Sequence, residues 1–134
     1  MIKEKVITIC GKQVSMRYCL AAEEKFEETT GRSIEIFNPE VKERDEKGKA
    51  TKIDPAKATK KDYKELAYAA IFAAYKRNGT EPPITKKEIL YEANAEDVLT
   101  IIAAVIELRL LWYNIPSIVK PEIEETEEEQ KKNA

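Results

Sequence analysis

The sequence predicts an α+β fold that is mostly helical, with an N-terminal β-hairpin followed by a bundle of about four helices. Alternating apolar residues flank Gly11, later segments carry apolar residues at helical spacing, and three of those segments open with capping residues. At 134 residues the chain is expected to be one domain over residues 1–118, with a polar insert loop at about 38–58. An acidic tail over 119–134 has too few apolar residues to fold and is expected to be disordered.

The N-terminal hairpin is predicted from residues 5–10 and 13–18, in which apolar and polar residues alternate. Glycine permits the positive φ angle that a two-residue hairpin turn requires, so we place the turn at Gly11-Lys12. That turn sets the register Cys10–Gln13, Ile9–Val14, Ile7–Met16 and Lys5–Tyr18. One face of the strand pair is then apolar and is expected to be buried: Ile7, Ile9, Val14, Met16 and Tyr18.

A short helix, a short extended segment and a long polar stretch follow the hairpin. Residues 20–30 are predicted to be helical and to end at Gly31, which favours a left-handed stop. Residues 33–37 are expected to form a third strand or a short edge segment. Residues 38–58 contain Gly48 and few apolar side chains, so they are expected to form a long surface loop. Disorder, simple solvation and partner binding all remain open for that loop.

A central helix is predicted to begin after Thr59, which forms an N-cap pattern with Asp62, and to run to about Asn78 before Gly79. Its main apolar stripe contains Tyr63, Leu66, Ala67, Ala70, Ile71 and Ala74. A second stripe contains the aromatic residues Tyr68, Phe72 and Tyr75. The small alanines of this helix would let another helix approach closely.

A short helix and a long helix complete the predicted domain. Thr85 and Glu88 form a capping-box pattern that opens the short helix. Asn94 repeats the pattern with Asp97 and opens the long helix, which Pro116 closes. Both helix starts are therefore expected to be fixed by local side-chain hydrogen bonds.

The long helix is apolar on two faces, whereas a small domain normally covers one. The first face contains Val98, Ile101, Ile102, Val105, Leu108 and Trp112. The second face contains Leu99, Ile106, Leu110 and Tyr113. A central core helix and an oligomer or partner interface both remain open interpretations. The candidate partner-binding residues on the two helices are Tyr68, Phe72, Tyr75, Leu99, Ile106, Leu110 and Tyr113.

The composition argues against catalysis, metal binding and membrane insertion. The chain has no histidine, no CxxC motif and no glycine-rich phosphate motif, so no catalytic, metal or cofactor site is expected. Cys10 and Cys19 lie at opposite ends of the predicted hairpin, roughly 20 Å apart, so no intramolecular disulfide is expected. No apolar run reaches the ~20 residues of a membrane span, and no signal-peptide core is present. The protein is therefore expected to be cytoplasmic.

The charge distribution leaves two further alternatives open. Net charge is −2, so the chain as a whole indicates neither a nucleic-acid nor a membrane partner. Residues 40–61 carry eight basic and five acidic residues without interleaved aromatic residues. A nucleic-acid-binding regulator that uses this loop would bind with steep salt dependence. An enzyme that relies on carboxylates alone would need a carboxyl with a strongly raised pKa in a cleft.

Four segments follow one another in a characteristic order: ITICGKQVSMRYCL, AEEKFEETTGRSIEIF, ELAYAAIFAAYKRNG and ITKKEILYEANAEDVLTIIAAVIEL. Together they cover roughly residues 5–115 and resemble phage tail assembly chaperones, the small proteins encoded near the tape-measure gene of long-tailed phages and prophages. None of the four segments is a catalytic signature. The basic insert at 40–58 departs from the family pattern, which leaves open whether the partner surface is the usual one.

The resemblance implies a non-catalytic assembly factor that binds the tape-measure protein, keeps its apolar helices soluble and helps tail-tube subunits polymerise around it. Binding would use helix-in-groove contacts. If the same surface forms a homo-oligomer, the tape-measure protein would compete with self-association. A structural or adaptor subunit of a phage or mobile-element complex is the alternative, and it would keep a permanent interface.

Overall fold

The computed structural model describes residues 3–113, which contain two β-hairpins, four α-helices and a 3₁₀ helix. The elements in chain order are β1 (Lys3–Ile9), β2 (Lys12–Tyr18), α1 (Leu20–Thr30), the 3₁₀ helix (Ile34–Phe37), β3 (Glu40–Arg44), β4 (Ala50–Asp54), α2 (Lys60–Lys76), α3 (Lys86–Tyr91) and α4 (Ala95–Tyr113). The α+β, mostly helical prediction is confirmed. The predicted helix end at Pro116 and the predicted tail at 119–134 lie outside the described residues.

β1 and β2 form the predicted antiparallel hairpin, but the predicted turn position was wrong by one residue. The turn is Cys10-Gly11, with φ angles of 51° and 74°, so Ile9 pairs with Lys12 and each predicted pairing shifts by two residues. A type I′ turn requires positive φ at both central residues. Asp97, at the start of α4, accepts a hydrogen bond from the Cys10 N–H (3.1 Å). A tertiary contact therefore stabilises a turn that places a cysteine in the left-handed region.

The shift in register leaves the buried face of this hairpin unchanged. Side chains alternate across a strand with a period of two, so a two-residue change of partner keeps every side chain on its own side. The five residues predicted to be buried are all buried: Ile7, Ile9, Val14, Met16 and Tyr18. β1 packs against α4, β2 packs against α2, and α1 packs against α2, which places the hydrophobic core between the hairpin and these helices.

Side-chain caps fix the starts of three helices, as predicted. Thr59 Oγ1 accepts the Asp62 N–H (3.1 Å), and the Thr59 N–H donates to Asp62 Oδ2 (2.8 Å). α3 has the same capping box at Thr85, and Asn94 Oδ1 accepts the Asp97 N–H (2.8 Å) at α4. These bonds satisfy N–H groups that the first turn of a helix leaves unpaired.

The segment after α1 forms a 3₁₀ helix, so the predicted third strand was wrong. Ser33 Oγ accepts the Glu35 N–H (3.1 Å), and such a local bond competes with an extended backbone. Phe37 is buried and makes edge-to-face contacts with Phe26 and Tyr63, with ring centroids 5.2 and 5.1 Å away. The short helix therefore directs one aromatic ring into the core.

The long surface loop predicted over 38–58 is instead a second hairpin, β3–β4, so the loop prediction was wrong. Asp45 Oδ1 holds its turn by accepting the N–H groups of Lys47 (2.9 Å) and Lys49 (2.8 Å). Gly48 supplies the left-handed residue of this turn, with φ of 84°. An aspartate followed three residues later by glycine was a visible turn signal, but the flanking strands lack apolar alternation.

The β3–β4 hairpin stands apart from the hydrophobic core. Its strands pair with each other, and none of its residues is fully buried. Its one apolar pair, Val41 with Ile53, is half-buried, and the register is irregular around Glu43. The Lys57 N–H donates to the Ile36 carbonyl (2.9 Å) and closes the base of the hairpin. This hairpin is therefore a charged extension that the core does not require.

Candidate partner-binding surface

One long face of α4 is apolar and open to solvent. The inward residues of this helix are buried: Val98, Ile101, Ala104, Val105 and Leu108. On the opposite side Leu99 is 68% exposed, Ile106 is 43% exposed and Tyr113 is 41% exposed. Ala103 is exposed and Leu110 is half-buried along the same line. These five residues follow the helical spacing i, i+4, i+7, i+11 and i+14, and they define the α4 outer face.

Polar contacts with the first hairpin fix the position of α4. Asp97 binds the turn at Cys10 through its carboxylate, and Lys5 Nζ lies 3.2 Å from Glu107 Oε1. The two contacts are ten residues apart along α4, or roughly 15 Å at ~1.5 Å per residue. They hold the helix against β1 with its outer face turned away.

A buried ionic network fixes the C-terminal part of α4. Arg109, which is 7% exposed, donates to Tyr18 Oη (2.8 Å) and Asn38 Oδ1 (2.6 Å) and lies 3.4 Å from Glu23 Oε2. The Tyr18 hydroxyl donates to the same Glu23 oxygen (2.7 Å). Within residues 3–113 no buried side-chain nitrogen or oxygen lacks a hydrogen-bond partner. The network therefore joins α4 to β2 and α1 without leaving a buried charge unpaired.

Sequence reasoning missed Arg109, although a signal for it exists. Arg109 follows Ile101 and Val105 at four-residue spacing, so a charge falls on the face that otherwise resembles core. A buried charge requires a partner of opposite sign. α1 buries Glu23, and that residue provides the partner. The spacing predicts that a partner is needed but does not identify which of the many glutamates provides it.

Tyr113 belongs both to the α4 outer face and to the buried network. Its hydroxyl donates to Glu23, and its ring centroid lies 5.1 Å from the Arg109 guanidinium carbon. Burial raises the pKa of the Tyr113 hydroxyl, and the hydrogen bond to Glu23 raises it further. The ring is therefore held in place while a large part of it faces solvent, as in an aromatic anchor of an interface.

The three aromatic residues predicted on α2 do not join this surface. Tyr68 and Tyr75 are half-buried and pack against the core, and the Tyr75 hydroxyl accepts the Ser15 N–H (3.1 Å). Phe72 is half-buried beneath Lys25, whose Nζ lies 4.0 Å from the ring centroid. α4 meets α2 through its inward residues. The structure thus brings the four predicted residues of α4 together on one face and leaves the three on α2 apart from them.

Other ionisable groups take part in ion pairs and caps. Hydrogen bonds from Lys12 and from the Thr85 N–H lower the pKa of the Glu88 carboxyl. Burial, together with the charge of Asp97, raises the pKa of the Cys10 thiol. Between residues 3 and 113, no cluster of three or more histidine, cysteine or acidic side chains could hold a metal ion. In the same part of the chain, no helix combines the length and apolar character needed to cross a membrane.

No protein-family model matches this chain, and neither a curated protein nor a solved structure matches it. The resemblance to tail assembly chaperones is thus a prediction from residue pattern.

Proposed function

We propose that this protein is a non-catalytic assembly chaperone that binds apolar helices of a partner on the α4 outer face. The observation that carries the proposal is the exposure of Leu99, Ile106 and Tyr113 on a helix whose opposite side is fixed in the core. The resemblance to phage and prophage tail assembly chaperones supplies the identity of the partners. These would be the tape-measure protein and, during tail-tube assembly, the tube protein.

The arrangement of the exposed apolar residues supports binding. Single apolar residues on a protein surface are ordinary, whereas a contiguous stripe marks an interaction site. The α4 outer face runs from Leu99 to Tyr113, roughly 21 Å at ~1.5 Å per residue. An amphipathic partner helix could lay three or four of its turns along it. Each Å² of apolar area that the partner covers would contribute about 25 cal/mol of favourable hydrophobic free energy to binding.

The rigidity of α4 supports the same proposal. The Asn94 cap fixes the start of the helix, and the buried Arg109 network fixes its C-terminal half. A surface that is already ordered loses little conformational entropy when a partner binds. A fixed stripe can therefore bind a succession of similar apolar helices, as a chaperone for a long helical partner requires.

The charge pattern distinguishes this proposal from the nucleic-acid-binding alternative. The α4 outer face contains no charged residue, so binding there would depend weakly on salt. The β3–β4 hairpin, residues 40–54, carries five basic and five acidic residues and is therefore electrically neutral. The hairpin alone does not provide the basic patch that phosphate binding needs, and the net charge of +3 over residues 40–61 comes from Lys57, Lys60 and Lys61, which follow the hairpin.

The experiment that tests the proposal is a tagged pull-down from cells carrying the native locus, with partners identified by mass spectrometry. Ile106→Asp places a charge in the centre of the α4 outer face and is expected to reduce partner recovery at least tenfold, since a buried unpaired charge is costly. Val6→Asp is the matched control, because Val6 is 56% exposed on β1 outside the stripe. That variant should recover the partner as the unaltered chain does.

Circular dichroism of both variants separates binding from folding. An Ile106→Asp protein with an unaltered helical spectrum and lost partner recovery supports the proposal. Equal recovery with Ile106→Asp and Val6→Asp would exclude the α4 outer face as the binding site. Recovery of a long helix-rich protein together with a tube-forming subunit would identify the tail-assembly role, whereas a permanent stoichiometric complex would favour the adaptor alternative.

A further inference from the structure

β1 has an edge that no other strand covers in the described part of the chain, because its sheet there contains β1 and β2 alone. Ile9 and Lys12 flank the two-residue turn, and residues in that position exchange both of their backbone hydrogen bonds. Hydrogen-bonded and non-hydrogen-bonded pairs then alternate along the two strands. Every second residue of β1 therefore directs its backbone N–H and C=O away from β2, and these residues form the β1 edge: Glu4, Val6 and Thr8.

The outer edge of β2 confirms this alternation. Val6 pairs with Ser15, whose N–H points out of the hairpin and donates to Tyr75 Oη on α2 (3.1 Å). Val6 therefore belongs to a non-hydrogen-bonded pair, so its own backbone groups point out on the opposite side. Within residues 3–113 no hydrogen bond involves the backbone groups of Glu4, Val6 or Thr8, and all three residues are exposed. α2 thus covers the β2 edge at Ser15, whereas the β1 edge keeps unpaired donors and acceptors that can template an added strand.

The end of the β1 edge at Thr8 is acidic. A pocket of about 580 Å³ opens there, no lysine or arginine is among its lining residues, and four carboxylates line it: Glu88, Glu92, Glu96 and Asp97. Lys12 pairs with Glu88 (2.9 Å). Glu92 and Glu96 are exposed, and between residues 3 and 113 neither makes an ion pair. The Thr8 end therefore carries uncompensated negative charge.

Charge is compensated at the middle of the edge and turns positive at Glu4. Near the middle, Lys5 Nζ lies 3.2 Å from Glu107 Oε1. At the far end Arg17 and Arg77 share the single carboxylate of Glu4, at 2.7 and 3.4 Å. The edge thus runs from a negative end to a positive end, and this sets the charge polarity of a complementary ligand.

We infer that the β1 edge binds an extended segment of another protein as a third, antiparallel strand, with basic residues at the Thr8 end and acidic residues at the Glu4 end. Each residue of the edge offers one N–H and one C=O to the backbone of that segment. Val6 is 56% exposed and provides an apolar cross-strand contact for a β-branched or aromatic side chain. Antiparallel pairing is slightly more stable than parallel pairing, so the basic residues lie at the amino end of the segment.

A second copy of this chain fits the β1 edge poorly. α4 lies along β1, with Asp97 bound to the Cys10 N–H and Glu107 paired with Lys5. A helix with its side chains is about 10–12 Å across, whereas paired strands lie about 4.8 Å apart. Two copies joined through β1 would bring their α4 helices into the same space. An extended segment without its own helix avoids that collision.

This site is independent of the α4 outer face, and its test does not require the tail-assembly proposal to hold. The first measurement is amide hydrogen exchange of the free, full-length chain by NMR. The amides of Lys5, Ile7 and Ile9 should be protected, and those of Val6 and Thr8 should exchange at least about tenfold faster. Slow exchange at Val6 and Thr8 would overturn the inference, because the edge would already be covered.

The second measurement is a titration of the full-length chain with a blocked, fluorescently labelled peptide, followed by fluorescence anisotropy. The peptide has two lysines, then five alternating threonines and valines, then two glutamates. A second peptide has the same side chains but carries N-methyl groups on the five central residues, which removes their backbone donors. We expect saturable binding of the first peptide and an affinity at least about tenfold lower for the second, since several backbone hydrogen bonds are lost.

Variants of the chain locate the bound peptide. Val6→Pro removes an N–H that points away from β2, so the hairpin ladder is kept while strand addition is blocked, and binding should be lost. Val6→Thr is the matched control that keeps this N–H, and it should bind within about threefold of the unaltered chain. Glu92→Gln with Glu96→Gln should weaken binding several-fold, whereas Glu43→Gln with Glu46→Gln on the β3–β4 hairpin should not.

Circular dichroism of Val6→Pro separates lost binding from lost folding, and the N-methylated peptide gives a result that needs no variant. Ile106→Asp should bind the peptide as the unaltered chain does, which separates this site from the α4 outer face. Equal affinity for the two peptides would overturn the inference, as would binding that a folded Val6→Pro protein retains. Self-association of the free chain that Val6→Pro abolishes would also overturn it, because a second copy would then be the occupant.

Discussion

The two β-hairpins of this protein share a topology and differ in what holds them together. β1–β2 buries alternate side chains against three helices, and its turn is bound by Asp97 of α4. β3–β4 buries no side chain fully, and its turn is held by its own Asp45. An isolated two-stranded hairpin is only marginally stable in water. A strand pair can therefore be specified by burial or by its turn, and the two kinds of strand pair carry different signals in the sequence.

The charged residues of the two hairpins differ in the same way. Tyr18, at the end of β2, belongs to the buried network of Arg109 and Glu23. Lys42, in β3, forms solvent-exposed ion pairs with Glu40 (2.9 Å) and with Asp54 (3.6 Å). Exposed ion pairs contribute little to stability, whereas a buried charge that loses its partner is strongly destabilising. Substitutions in the two regions should therefore have very different effects.

The largest effect is expected from Arg109→Met, which removes the buried cation and leaves Glu23 unpaired. We expect the free energy of unfolding to fall by about 3–5 kcal/mol, measured by urea denaturation. Lys42→Met is the matched change in the second hairpin and should produce no measurable shift of the urea midpoint. Adding Glu23→Gln to Arg109→Met should recover part of the loss. A comparable loss of unfolding free energy in Arg109→Met and Lys42→Met would contradict the distinction between the two regions.

A smaller effect is expected from shortening one apolar side chain in each hairpin. Ile9 is fully buried, so Ile9→Ala should lower the free energy of unfolding by about 3 kcal/mol through lost burial and the cavity left behind. Ile53 is half-buried in β4, and Ile53→Ala should cost less than about 1 kcal/mol. Thermal unfolding followed by circular dichroism measures both. Equal losses would mean that the second hairpin packs into the core.

Excision of residues 40–54 tests the independence of the second hairpin directly. A short Gly-Ser linker can replace it. The Lys57 N–H donates to the Ile36 carbonyl (2.9 Å), and this bond holds the segments on either side of the hairpin close together. We expect cooperative unfolding with a stability within about 1 kcal/mol of the full chain, since no core residue is lost. Loss of a cooperative transition in differential scanning calorimetry would show that the core needs this hairpin.

The smallest effect is expected at the turn of the first hairpin. Cys10 has a positive φ of 51°, which asparagine adopts more readily than cysteine. Cys10→Asn should therefore raise the free energy of unfolding by about 0.5 kcal/mol, because Asn-Gly is a preferred type I′ turn. Cys10→Val serves as the opposite control and should destabilise, since a β-branched residue is strained there. A destabilised asparagine variant would indicate that the thiol contributes more than the backbone conformation does.

The candidate partner surface was predictable in part from the sequence. Helical spacing groups Leu99, Ile106, Leu110 and Tyr113 on one side of α4, and these four lie together on the open face. The same reasoning grouped the aromatic residues of α2, but two of those, Tyr68 and Tyr75, pack against the core. Periodicity gives the direction of a side chain around its own helix axis. It does not say which elements pack on each side.

Short-range interactions explain what the sequence determined by itself. The buried face of β1–β2, the caps at Thr59, Thr85 and Asn94, and the stop at Gly31 each involve residues a few positions apart. Their physical causes are alternation, reciprocal hydrogen bonds and positive φ, all of which are local.

Contacts between distant residues explain what only the tertiary structure decided. The turn at Cys10 is bound to Asp97, and Arg109 meets Glu23 across 86 positions. α4 is apolar on both faces, so its composition does not select the face that is buried. β1 and α2 make that selection by packing on one side, and Arg109 reinforces it because its charge can be satisfied only there.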